Sequence, residues 1–171
     1  MESEATPDAG PPVPAEPRWL DADERKTWLA LISMMIKLPA ALDAQLQRDV
    51  KLSNFEYQVL AGLSESPERT LRMSVLAAFA DGSLPRVSQA VGRLERRGLL
   101  RRHPDPDDGR YTLATLTDEG MDLLIKAAPG HVETVRRLVF DPTTKAQQHR
   151  LCDIARRVIR RIDPTDPCLD D

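Results

Sequence analysis

Between Ser83 and Tyr111 the chain carries a helical repeat with one apolar seam and one arginine-rich side, running directly into two short segments around a polar turn. Val87, Val91 and Leu94 recur at i, i+4 and i+7. A helix here must therefore bury one stripe and leave Arg86, Ser88, Gln89 and Arg93 on the other side. Ser83 stands at the N-cap position, and Pro85 falls in the first turn, where a missing amide hydrogen costs little. After Gly98, LLRRH and RYTLATL flank PDPDDG, which predicts a two-stranded hairpin.

Charge singles out the same segment. From Leu84 to Arg102 there are six arginines and one acid, Glu95, within a chain of 171 residues whose formal net charge is -3. The acidic total comes from the ends. Residues 1 to 24 hold seven acids and one arginine, and residues 163 to 171 hold four acids, so residues 25 to 162 carry +7. A basic body with a concentrated arginine face suits a polyanionic partner.

The elements around this segment read as helices. MESEATPDAGPPVPAEP contains five of the 14 prolines and little that could pack, which predicts disorder. From about Asp21, Trp28, Leu31, Ile32, Met35, Ile36, Leu42 and Leu46 follow helical spacing, with Pro39 expected to kink the helix. Ser53 and Glu56 form a capping-box signature, with Leu52 and Tyr57 as a hydrophobic staple. A short helix from Ser74 is expected to close at Asp81-Gly82, where a glycine can turn left-handed. After the hairpin, Thr117 opens a helix to about Phe140, with a kink expected at Pro129-Gly130. A last helix from Thr144 to Ile162, announced by Thr144 and Gln147 in capping-box spacing, carries a wide apolar stripe.

Several functional classes find little support in these residues. The chain has no glycine-rich phosphate loop and no His, Cys, Asp or Glu cluster at metal-ligand spacing, so neither an enzyme nor a metal sensor is expected, and no cofactor. Cys152 and Cys168 are the only cysteines, no C-x-x-C pair occurs, and no run resembles a secretory signal, which predicts a cytoplasmic protein. The longest apolar stretches are short of the ~20 residues that span a bilayer, so no membrane association is expected.

A helix, a tight turn with glycine, a second helix and a hairpin make a winged helix-turn-helix, in which the Leu84 to Arg97 helix would enter the major groove of duplex DNA. The residues expected at DNA are Ser83, Pro85, Arg86, Ser88, Gln89, Arg93, Asp108 and Arg110. Arg can bond a guanine edge and Gln an adenine edge, so Arg86 and Gln89 are the candidate base readers. Arg93, further back, suits a phosphate. Arg110, just after the wing turn, suits the narrow minor groove, with Asp108 hydrogen-bonding its guanidinium to fix its direction. The competing reading of the arginines is a solvated helix face.

The run LRMSVLAAFADGSLPRVSQAVGRLERRGLLRRHPDPDDGRYTLATLTDEG resembles the MarR-type family of bacterial winged-helix transcription regulators. The resemblance rests on Leu76 and Ala77, Ser83, then Arg93, Leu94, Glu95, Gly98, Leu99, Leu100 and Arg102, then Asp108 to Arg110, and finally Leu116, Thr117 and Gly120. It implies a mainly α fold with a small β-hairpin wing, in which a winged helix-turn-helix domain is flanked by N- and C-terminal dimerisation helices. The organisation expected is an acidic, proline-rich tail over 1–20, a dimerisation helix over 21–50, the DNA-binding domain over 51–117, dimerisation helices over 118–162 and an acidic tail over 163–171.

The resemblance further implies a homodimeric regulator, most often a repressor, on a pseudo-palindromic operator, released by a small aromatic or phenolic effector. The apolar stripes of the terminal helices exceed what a small reading domain needs, which independently favours a partner surface. Trp28, Met35, Tyr57 and His131 are the candidates for an effector cleft. The first three also sit at core spacing, and His131 has no second histidine near it, so ordinary packing is the alternative for each. Oxidant sensing through a cysteine near the first helix, seen in some members, has no counterpart in this chain. The remaining alternatives are a winged-helix protein-interaction module and a ligand-independent architectural DNA binder.

Overall fold

A computed structural model of the chain describes residues 16–166 and residue 169. The expectations for residues 1–15 of the acidic tail and for Cys168 lie outside the described residues. The described residues fall into two compact units, divided between Lys37 and Leu38.

The first unit contains the opening turns of α1 (Ala22–Val50). Asp21 caps it: its Oδ1 accepts from the backbone N–H groups of Asp23 and Glu24, both at 2.8 Å, while the Glu24 carboxylate accepts from the Asp21 N–H at 2.9 Å. These bonds satisfy donors that the first helical turn otherwise leaves unpaired. Trp28, Leu29, Met34, Met35 and Ile36 are exposed in the single chain, so core packing does not account for Trp28 or Met35.

In the second unit, the end of α1 is followed by α2 (Asn54–Glu65), β1 (Thr70–Arg72), α3 (Met73–Phe79), α4 (Leu84–Arg96), β2 (Leu100–Pro104), β3 (Thr112–Leu116), α5 (Asp118–Val135) and α6 (Lys145–Ile162). Both capping boxes foreseen in the sequence are present. Ser53 Oγ accepts from the Glu56 N–H while Glu56 Oε2 accepts from the Ser53 N–H, and Thr144 and Gln147 repeat the exchange on α6. The Val87, Val91 and Leu94 seam of α4 is fully buried, against a core that includes Leu46, Leu52, Leu60, Leu63 and Leu76. At ~1.5–3 kcal/mol per buried Val or Leu, this stripe is the main force holding α4 in place.

Three expectations change. The wing is a three-stranded antiparallel sheet in the order β1-β3-β2, not a lone hairpin. Thr70, Leu71 and Arg72 pair with Thr115, Ala114 and Leu113, because an isolated hairpin leaves an open edge and is marginal in water. At the end of α3 it is Asp81, with φ of 46°, that turns left-handed. Its N–H donates to Ala78 O and the Gly82 N–H to Ala77 O, the paired bonds of a Schellman closure. Gly82 is needed for room instead, since a Cβ there would lie 2.8 Å from Cζ of Phe55.

α5 runs through Pro129-Gly130 as one helix. Gly130 packs against Gln45 and Asp49 of α1, and the helix widens only later, in a π turn over Arg136–Phe140 closed by the Asp141 N–H on Arg136 O at 2.8 Å. α1 continues through Pro39, as the periodicity resuming at Leu42 implies. The third change is that α1 is long and apolar enough over an 18-residue window, of mean hydropathy 1.4, to cross a bilayer by length and composition. The expectation that no stretch reached this length counted uninterrupted apolar runs, whereas the helix averages across its few polar residues. Lys37 sits at the middle of α1, where a charge is costly in hydrocarbon.

Candidate nucleic-acid interface

α4 is held by its buried seam and starts on Ser83, whose Oγ accepts from the Arg86 N–H at 3.4 Å. This leaves Ser83, Pro85, Arg86, Ser88, Gln89 and Arg93 exposed together on the outer side of the helix. The arginines of this region fall into two groups. Arg97 donates to the carbonyls of Lys51 and Val50, which ties the end of α4 to the end of α1. Arg102 clasps Glu95 through Nε at 2.8 Å and Nη2 at 2.6 Å, joining β2 to α4. The Arg102 guanidinium, with its N–H as a second donor, holds the Glu95 carboxyl below the usual carboxylate range. By contrast, Arg96 and Arg101 make no ion pair among the described residues, and Arg86 lies over the Phe55 ring at 4.1 Å from its centroid.

Arg93 belongs to both groups. Its Nε donates to Glu56 Oε1 at 2.7 Å, yet half of its side chain stays in solvent. Burial alone would raise the Glu56 carboxyl, but the Ser53 N–H and the Arg93 guanidinium outweigh it and leave the group below its ordinary value. The α2 capping box and the anchor of α4 thus share one carboxylate.

The wing supplies the other side of the surface. Asp108 accepts from Arg110 Nε at 2.9 Å and Nη2 at 2.6 Å, and this pairing lowers its carboxyl below the usual range. Arg110 itself is 84% exposed, so its direction is set while its outer edge remains open. Two residues that the sequence reading passed over complete the wing. Arg72, at the end of β1, pairs with the buried carboxylate of Asp105 at 2.8 Å and lies 4.4 Å over the ring of Tyr111, whose other neighbour is Arg110. No local spacing points to this contact, because Arg72 and Asp105 meet only when β1 joins the sheet. Arg72, Ser88, Arg102, Arg110 and Tyr111 together line a concave surface of about 420 Å³ between α4 and the wing.

Of the four residues considered for an effector cleft, Tyr57 and His131 come together, with ring centroids 4.5 Å apart. They line an open cavity of about 1160 Å³ that also receives Phe55, Arg86, Gln89 and Arg93. Burial lowers the His131 imidazole below its ordinary value, and its buried Nδ1 has no hydrogen-bond partner among the described residues. Burial, aided by Glu65, raises the Tyr57 hydroxyl. Trp28 and Met35 lie on the opening turns of α1 and are at least half exposed. No group of three or more His, Cys, Asp or Glu able to hold a metal occurs among the described residues.

Residues 48–110 match the family model described as MarR family. The chain is 45% identical to Sco3205 of Streptomyces coelicolor, a MarR family transcriptional regulator whose crystal structure is in complex with DNA. That likeness covers 88% of this chain and 94% of Sco3205, with a TM-score of 0.84. It is 30% identical to AbsC, another MarR family regulator of Streptomyces coelicolor, over 87% of this chain and all of that one, with a TM-score of 0.82. Among curated relatives, YkoM of Bacillus subtilis, an HTH-type transcriptional regulator, is 32% identical over 61% of this chain and 68% of its own length. The fold is thus shared with Sco3205 and AbsC, and the chain belongs to the MarR family of winged-helix transcription regulators, which are not enzymes.

Proposed function

We propose that this protein represses transcription as a cytoplasmic homodimer bound to a pseudo-palindromic DNA operator, and that a small aromatic or phenolic ligand releases it. The observation that carries the reading is the common exposure of Arg86, Ser88 and Gln89 on α4 together with Arg110 on the wing. A helix in the major groove and a wing arginine in the adjoining minor groove use all four. Sco3205, at 45% identity, has been crystallised with DNA, which supports the same partner for this chain.

The dimer is supported by apolar surface with no use in one chain. No residue of α6 is buried, although Leu151, Ile154, Val158 and Ile162 follow one another along it, and Trp28, Met35 and Ile36 of α1 are equally open. Solvent-exposed stripes of this extent mark association surfaces. Two-fold symmetry then sets two α4 helices on half-sites about one helical turn, ~10 bp, apart. The cavity with Tyr57 and His131 suits a small aromatic ligand, since it offers ring faces, an unpartnered imidazole nitrogen and nearby guanidinium groups.

Selection of bound sequences from a random duplex pool, followed by titration over a salt series, tests the reading. A pseudo-palindrome should emerge, and affinity should fall steeply and linearly in log-log form with salt as phosphate counterions are released. Absence of binding at low ionic strength would overturn it and favour a protein-interaction module.

A further inference from the structure

We infer that Phe55 is a positioning residue for base readout, holding the Arg86 guanidinium flat and aimed outward before DNA arrives. The inference rests on the proposed role of Arg86 as a base reader. The Arg86 guanidinium carbon lies 4.1 Å from the centroid of the Phe55 ring, within cation-π range. The ring is itself held in place. Phe55 follows the Ser53 cap of α2, packs its partly buried body against the core, and sets its edge against Gly82 in the turn between α3 and α4. A Cβ at Gly82 would lie 2.8 Å from Cζ and 3.0 Å from Cε2 of the ring, so the glycine is what lets the ring reach under Arg86.

The chemistry of the support matters. Every other arginine oriented on this surface is held by an oxygen: Arg93 by Glu56, Arg102 by Glu95, Arg110 by Asp108 and Arg97 by backbone carbonyls. Such contacts occupy N–H donors, and the carboxylates also offset charge. Arg86 makes no ion pair and no side-chain hydrogen bond among the described residues. A ring face orients the plane through its quadrupole and consumes no donor, so all five N–H groups stay free for a guanine O6 and N7. For a phosphate-holding arginine this freedom matters little. For a base-reading one it decides whether the bidentate geometry is available.

The test uses the full chain and an operator selected from a random pool. Wild type, Phe55→Leu, Phe55→Tyr, Arg86→Ala and the double variant Phe55→Leu/Arg86→Ala are titrated against the operator, its single-base-pair variants and an unrelated duplex, each over a salt series. Phe55→Leu should reduce discrimination about 2- to 5-fold at the base pair where Arg86→Ala reduces it, and at no other. Phe55→Tyr, which keeps the ring, should retain wild-type discrimination. Affinity for the unrelated duplex and the salt slope should be unchanged by Phe55→Leu, and the substitution should add nothing in the Arg86→Ala background. Unaltered discrimination in Phe55→Leu, or an equal loss with and without Arg86, would overturn the inference. If Phe55→Leu melts below the assay temperature, Phe55→Met, with a longer apolar side chain and no ring, makes the same comparison. Failure of the wild type to select any sequence would sink the regulator reading instead, so the two failures are distinguishable.

Discussion

Glu56 carries two loads, since one carboxylate caps α2 through the Ser53 N–H and anchors α4 through Arg93. Replacing it by alanine should cost about 2 kcal/mol, from a lost cap and a charge-assisted bond to a half-exposed arginine. Because the folded carboxyl is held below its ordinary value of 4.5, its contribution is present above that pH and is lost as pH falls through the lower folded value. Denaturant melts between pH 7 and pH 3 should therefore converge for wild type and Glu56→Gln at the acid end. In the proposed function, Arg110 serves DNA binding rather than stability. Arg110→Ala should leave the melting temperature within a degree or two but weaken binding to all duplexes and shallow the salt slope by about one unit. An unchanged slope would remove Arg110 from the interface.

At the scale of elements, α5 docks against the segment that joins α4 to the wing, with no spare volume at Gly120. Thr117 Oγ1 donates to the Gly98 carbonyl at 2.7 Å, its N–H reaches Leu99 O at 3.2 Å, and α5 starts directly against that carbonyl. A Cβ on Gly120 would lie 2.0 Å from Leu99 O, a backbone atom that cannot swing aside. This is the physical content of the Leu116, Thr117 and Gly120 spacing: threonine caps the helix and glycine lets it dock. Gly120→Ala should cost ~1–3 kcal/mol as overpacking. Thermal denaturation would read this as a melting temperature several degrees lower, and an unaffected melt would show that α5 has room to shift.

At the scale of the whole molecule, the proposed dimer draws on the open apolar faces of α1 and α6. Cutting the chain before Thr144 removes α6, whose residues are all at least partly exposed in the single chain, and should yield a monomer in sedimentation equilibrium. The same truncation should weaken operator binding by orders of magnitude, because linked reading heads raise each other's effective concentration. A truncated chain that stays dimeric would move the interface elsewhere.

Local physics explains why much of this was readable from residues alone. Capping boxes at Ser53 and Thr144, the Val87, Val91 and Leu94 seam and the Asp108 to Arg110 pairing all act within a few residues, where the backbone geometry of a helix or turn sets who meets whom. The remainder depends on neighbours far apart in the chain. β1 exists because β3 offers it an edge, Arg72 finds Asp105 thirty-three positions away, Arg93 finds Glu56 across two helices, and Phe55 reaches Arg86 through the space left at Gly82. Periodicity could say that α4 turns an arginine face outward. Only the packed fold decides which of those guanidinium groups are committed to carboxylates and carbonyls and which keep their donors open, because that choice is made by side chains that no helical or strand repeat brings together.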